Sequence, residues 1–80
     1  LHLRRKPIAE AMHELDIFLN SVFLDNISTV RIIHGKGSGE MRKDVWEALS
    51  YHQIVKSIRI AYLGEGDAGV TVVDMESPNI

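Results

Sequence analysis

The stretch "STVRIIHGKGSGEMRK", residues 28–43, runs from a β-branched apolar segment through a loop with glycine at every second position and into an amphipathic segment. Thr29, Val30, Ile32 and Ile33 favour a pleated backbone and predict a strand over 28–33 buried on both faces. Gly35, Gly37 and Gly39 then open conformations closed to other residues, and with no β-carbon they let N–H groups come close to an anion. A helix starting at Ser38 or Gly39 and running to about Tyr51 follows. It places Met41, Val45, Ala48 and Leu49 inward, and the acids Glu40, Asp44 and Glu47 towards its positive N-terminal half. That end aims unpaired amides back at the loop. With Lys36, Arg42 and the imidazole of His34 beside it, the natural guest is a phosphate. The loop lacks the spacing and Lys-Ser/Thr pair of a Walker loop, and it does not follow the first strand as a dinucleotide fingerprint would.

Outward from this centre, Leu1 to Leu3 predicts a short strand, and Pro7 sets φ for a first helical turn. Ile8, Met12, Leu15, Leu19 and Val22 recur at three-to-four spacing, a helix over 7–24 that Asp25 and Asn26 end. "SIRIA", 57–61, predicts a third strand, and "VTVVDM", 70–75, a fourth after the turn-rich "LGEGDAG". Residues 77–80 predict a disordered tail. The order β-α-β-α-β-β gives an α/β domain, in layers an α+β two-layer sandwich with a four-stranded sheet, each strand-helix-strand step a right-handed parallel crossover. Parallel early strands send Arg4-Arg5-Lys6, the His34 to Gly39 loop and Gly64 to Gly69 to one edge, where open sheets bind ligands.

Eighty residues make one domain, and a 45% hydrophobic composition with no cysteine excludes a disulfide framework, a thiolate metal site and a disordered chain. No apolar run spans a bilayer and the N-terminus has no signal-peptide pattern, so a cytoplasmic protein is expected. A first residue that is already part of an apolar alternation suggests a piece of a longer chain. The net charge of −2 conceals a division. Arg4, Arg5, Lys6, Arg31, Lys36, Arg42 and Lys43 oppose Glu40 alone, a local +6, while the remainder carries −8.

"VRIIHGKGSGEMRKDVWEAL" followed by "GEGDAGVTVVDM" resembles the Smr, or small MutS-related, domain, with its HGxG loop after the second strand and its Gly-Val-Thr-Val-Val final strand. The likeness covers residues 1–75 of an expected domain over 1–76, and is similar to the version at the C-terminus of the bacterial MutS paralogue that suppresses recombination. It implies a fold like the C-terminal domain of a bacterial translation initiation factor, with a mixed sheet of order 1-2-4-3 whose last strand is antiparallel. It also implies binding of DNA or RNA and, in several members, nicking of DNA or cleavage of RNA, with an upstream ATPase region in the parent chain and roles in DNA repair, recombination or on the ribosome. His34, Gly35, Lys36 and Gly37 match the HGxG loop, and Arg4 matches the arginine of a Leu-Asp-Leu-Arg-Gly opening. His2 stands where the family usually has aspartate, and Arg5 where it usually has glycine.

Two readings therefore compete. In the first the domain is a nicking endonuclease without strong sequence preference, with His34 as general acid/base and the backbone of Gly35 to Gly39 stabilising developing charge. Lys36, Arg42 and Arg4 hold the strand. A divalent metal (Mg2+ or Mn2+) is compatible with this chemistry, but the loop has too few acids to name ligands and no residue is assigned to a metal. In the second, which the loss of an acid at His2 favours, the same rim is a non-catalytic DNA, RNA or ribosome-binding module. A binder of small phosphorylated metabolites is a third. The plainer roles are a His34 ring that only holds the loop, a Glu40 that only stabilises a helix end, and a Trp46 that packs against the sheet edge rather than stacking on a base.

Overall fold

The computed structural model describes residues 1–37, 39–61 and 67–78. Helix α1 (Ile8–Leu24) is followed by strand β1 (Thr29–Ile33), helix α2 (Glu40–Ser50), strand β2 (Val55–Ile60), a single 3-10 turn (Asp67–Gly69) and strand β3 (Val70–Met75). Pro7 caps α1, Asp25 follows its last residue, and Asn26 takes a left-handed φ of 58°, a conformation asparagine tolerates. Its buried face is Ala11, Leu15, Leu19 and Val22; Ile8, expected inward, is exposed.

The sheet corrects the expected four-stranded arrangement of order 1-2-4-3. It has three strands, not four, in the order β1-β3-β2, which keeps the 2-4-3 part of that order, and the last strand is antiparallel to both neighbours. The predicted Leu1–Leu3 strand is reduced to one parallel bridge, His2 to Ile33. Its reason is length. Leu3 N–H donates to Ile33 O and Ile33 N–H to Leu1 O, both at 2.7 Å, after which Lys6 N–H closes back on Leu3 O at 3.2 Å and Pro7 starts the helix. Three residues leave no room for a longer ladder.

β3 is central, and it is buried at every position but Asp74. That burial on both faces was expected of the 28–33 segment, yet in β1 only Ile32 is fully buried, because no complete strand covers its other edge. Alternation along β3 separates two faces. Val73 and Met75 join Leu3, Leu15, Leu19, Ile32, Val45 and Leu49 in the main core under the helices, whereas Val70 and Val72 pack with Ala61 and Ile33 in a smaller cluster. Thr71 shares the helix-side face with Val73 and is fully buried. β1 and β2 both oppose β3 and so run the same way, which brings the loop after β1 beside the end of the chain's opening turn. The start of α2 at Ser38, the Gly64 to Gly66 part of the turn-rich connection, and the end of the predicted tail lie outside the described residues. Within that tail, Ser77 Oγ and Asn26 Oδ1 lie 3.1 Å apart in a hydrogen bond. Among the described residues no helix is long and apolar enough to cross a membrane.

Arg5 holds a φ of 67°, the region where a β-carbon is costly and glycine is at ease. The Arg5→Gly variant should therefore be more stable by about 1 kcal/mol, raising the thermal midpoint by about 4–8 °C in a domain of this size. A calorimetric scan of both proteins checks it.

Candidate functional site

β1 delivers the chain to a loop that is tied down at its first step. The amides of His34 and Gly35 both donate to the carbonyl of Gly69, at 3.1 and 2.9 Å. Gly35 has φ 82°, and a β-carbon there would lie 3.1 Å from Arg4 Cγ, so the Arg4 side chain lies across bare backbone that only glycine provides. Gly69 meets the same loop from the other side, its missing β-carbon 3.4 Å from Lys36 Cγ. Gly39, with φ 86°, is the residue before α2, and Lys43 N–H makes the helix's first bond to Gly39 O. The first-turn amides of a helix have no acceptor within the helix itself.

Arg4, Arg5, Lys36 and Arg42 thus line one open cleft of about 370 Å³, together with Gly35, Gly37 and Gly39, and Glu40 is its single acid among the described residues. Two sequence-distant basic segments meet there. Lys6, grouped with Arg4 and Arg5 in sequence, instead pairs with Glu14 at 3.2 Å. The glycine amides divide: that of Gly35 is spent on Gly69, so it does not face a ligand as the loop pattern led one to expect. Among the described residues no group of three or more His, Asp or Glu is placed to hold a metal ion, so the donor set does not assemble a site for a divalent cation. Glu65, one acid that could have contributed, lies outside the described residues.

His34 lines the cleft but is only 4% exposed. Its Nδ1 stands 2.9 Å from Gly35 O and its Nε2 2.8 Å from Thr71 Oγ1. A carbonyl can only accept, so Nδ1 carries the proton and Nε2 accepts from the Thr71 hydroxyl. Thr71 Oγ1 in turn accepts from Trp46 Nε1–H at 2.7 Å. The chain Trp46 to Thr71 to His34 to Gly35 leaves every group in it satisfied only while the imidazole is neutral. Were Nε2 protonated, Thr71 Oγ1 would receive two donors and its own proton would lose its acceptor. In keeping with this, burial lowers the His34 pKa, opposed by the bond to Gly35 O and reinforced by the charge of Arg42. The sequence placed His34 at the rim. The structure places it beneath the loop, with both ring nitrogens occupied.

Thr71 was not singled out in the sequence, although a lone hydroxyl in "VTVV" on a strand buried on both faces needs a partner and was the available sign. Trp46 does pack against the core, and its indole N–H reaches the site as well. His2 is exposed and outside the cleft lining, and His52 pairs with Asp16 at 3.0 Å, away from it.

The molecule is thus a two-layer α+β domain in which a glycine loop, a helix N-terminus and cations from separate segments converge at one lip. The Smr domain model matches residues 1–76, and the chain belongs to that family. It is 45% identical over 73 residues to Endonuclease MutS2 of Symbiobacterium thermophilum, which covers 91% of this chain and 9% of the relative. Endonuclease MutS2 of Halothermothrix orenii is 42% identical over 77 residues, 96% of this chain and 10% of that protein. The chain therefore spans about a tenth of the length of the curated relatives it matches. Among solved structures, the Smr domain of Thermus thermophilus MutS2 superposes with a TM-score of 0.92 at 41% identity, covering 95% of both chains. YdaL, a stand-alone small MutS-related protein from Escherichia coli, gives a TM-score of 0.90 at 26% identity over 96% of this chain and 63% of that one.

Replacing Thr71 with Val keeps the shape but strips one donor, the Trp46 indole N–H, and one acceptor, His34 Nε2, of their partner, and should cost roughly 2–4 kcal/mol by urea unfolding, with Thr71→Ser retaining most of the stability. Because the folded His34 holds its proton less tightly than the unfolded chain does, its contribution to stability is complete above the ordinary value of 6.5 and declines as pH falls below it. Urea midpoints between neutral pH and about pH 5 should fall for the wild type, and less steeply for His34→Gln.

Proposed function

We propose that this chain grips the phosphodiester backbone of DNA or RNA at the lip formed by Arg4, Lys36 and Arg42, without reading base sequence. The observation that carries the reading is the cleft in which four cations from separate segments face one acid beside the N-terminus of α2. Such contacts position a strand and supply affinity, but carry no sequence information. A protein of net charge −2 is suited to this only because four of its cations gather on one lip that holds a single acid among the described residues.

The prediction is a salt signature. Affinity for a mixed-sequence duplex, measured by fluorescence anisotropy, should fall with a log–log slope of about −3 in salt, and Lys36→Ala or Arg42→Ala should each reduce the slope by about 1. Lys56→Ala should leave it unchanged, since Lys56 does not line the cleft. A slope near zero in the wild type would remove the proposal.

Nicking of the bound strand is the second reading, favoured by the name Endonuclease MutS2 carried by the relatives and by His34 lining the same cleft. In it Arg4, Lys36 and Arg42 hold the strand, the first turn of α2 and the amide of Gly37 face the developing negative charge, and neutral His34 moves the proton. His34 does so only by opening one of its two ring bonds, to Gly35 O or to Thr71 Oγ1. The wider setting we propose is a MutS-related parent chain with an upstream ATPase region that acts in recombination or on stalled ribosomes. Conversion of supercoiled plasmid to open circles, with and without chelator, tests the chemistry. Cleavage by the wild type and none by a folded His34→Gln supports it, whereas tight binding with no cleavage by either leaves a binding module.

A further inference from the structure

α2 carries a second feature that the phosphate lip does not use. Gly39, Arg42, Lys43, Trp46 and Ile60 enclose a cleft of about 410 Å³ whose walls are mainly apolar. It shares Gly39 and Arg42 with the basic cleft, so the two are continuous around the start of the helix. Arg42 and Trp46 are four residues apart and Lys43 and Trp46 three, which sets the cations and the indole on neighbouring positions of one helix face. One helical turn, about 5.4 Å, separates the levels at which charge and ring stand. That is comparable with the step from a phosphate to the base of the same nucleotide.

We infer that this cleft is a stacking site for an unpaired nucleobase, with the Trp46 indole as its wall and Arg42 and Lys43 holding the adjoining phosphate. The inference rests on the nucleic-acid reading of the lip and narrows its substrate to strands with exposed bases. Three observations carry it. The cleft is apolar yet flanked by cations, a pairing that complements a nucleotide's flat ring and charged linkage. The indole N–H is already committed to Thr71 at 2.7 Å, which fixes the ring in place and removes its hydrogen-bonding edge, leaving the π surface for contact. Trp46 is only partly buried even though it packs against the main core, so it is both anchored and open. A base inside a duplex presents edges in the grooves and hides its faces, whereas a single strand, loop or flap presents the face that an aromatic platform takes. Stacking of this kind accepts any base.

Trp46 is the chain's sole tryptophan, so its emission reports on this cleft without ambiguity. The chain is titrated with oligothymidylate, with oligouridylate, with an abasic single strand of the same length and with a blunt duplex, at one salt concentration. Both base-bearing strands should quench the emission and bind about 5- to 100-fold more tightly than the abasic strand, and the duplex should bind without quenching. Quenching by only one of the two strands identifies RNA or DNA as the source of the base. Followed by anisotropy, Trp46→Leu, its fold checked by circular dichroism, should bind all single strands as the abasic one, while Trp46→Phe, which keeps a ring, should retain most of the preference. Equal affinity of the wild type for abasic and base-bearing strands overturns the inference, as does an undiminished preference in Trp46→Leu, and in both cases the phosphate lip stands. If none of the four polymers binds, the lip reading fails and the stacking site fails with it.

Discussion

The hydroxyl of Thr71 is the point at which the sheet, the second helix and the loop are joined. It lies on the central strand, fully buried, and it receives the indole of Trp46 from α2 while donating to His34 at the exit of β1. In a small domain the apolar core alone leaves such elements free to slide by fractions of an ångström, since hydrophobic contact has no direction. A chain of three hydrogen bonds, each with a unique donor and acceptor, removes that freedom. The consequence is that the glycine loop starts from a defined place, with Gly69 O holding the two amides of its first step.

This arrangement accounts for the charge pattern. A basic opening turn and a basic loop some thirty residues apart in sequence share one lip because the three-residue opening segment pairs alongside β1 and then turns back at once. Arg4 can lie against the loop only because Gly35 has no side chain. Among the described residues most acids lie away from that lip, on α1, on α2 and on β3, where Asp74 takes hydrogen bonds from Thr29 and Ser57 on the flanking strands. A molecule with a slightly negative total thereby presents a positive lip.

Much of this was legible in the residues. The three-to-four spacing in 7–24, the β-branched runs and the punctuation by Asp25, Asn26 and the glycines identify α1, β1, α2 and β3 to within a few residues, and the meeting of Arg4 with the loop follows from the topology alone. Three features were not legible. The opening segment alternates like a strand, but whether three residues form a ladder or a bridge depends on how soon the chain turns, which is set by Arg5 adopting a left-handed φ that its residue type disfavours. Apolar β-branched composition cannot say which strand is central, so full burial was assigned to β1 rather than β3. And the role of His34 depends on a partner, Thr71, that is 37 residues away: the lone hydroxyl in a buried strand signals that it needs a partner, but local pattern does not say which one.

The inward amide of Gly35 has a consequence for how long any polyanion stays. A loop whose backbone donors all pointed outward would clasp a phosphate in a rigid cage and release it slowly. Here that donor is turned to Gly69, and the grip falls more to guanidinium and ammonium groups on flexible stems. On the reading proposed above, such groups pass an oxyanion from one to the next without first letting go, which suits gliding along a polymer rather than parking at one address.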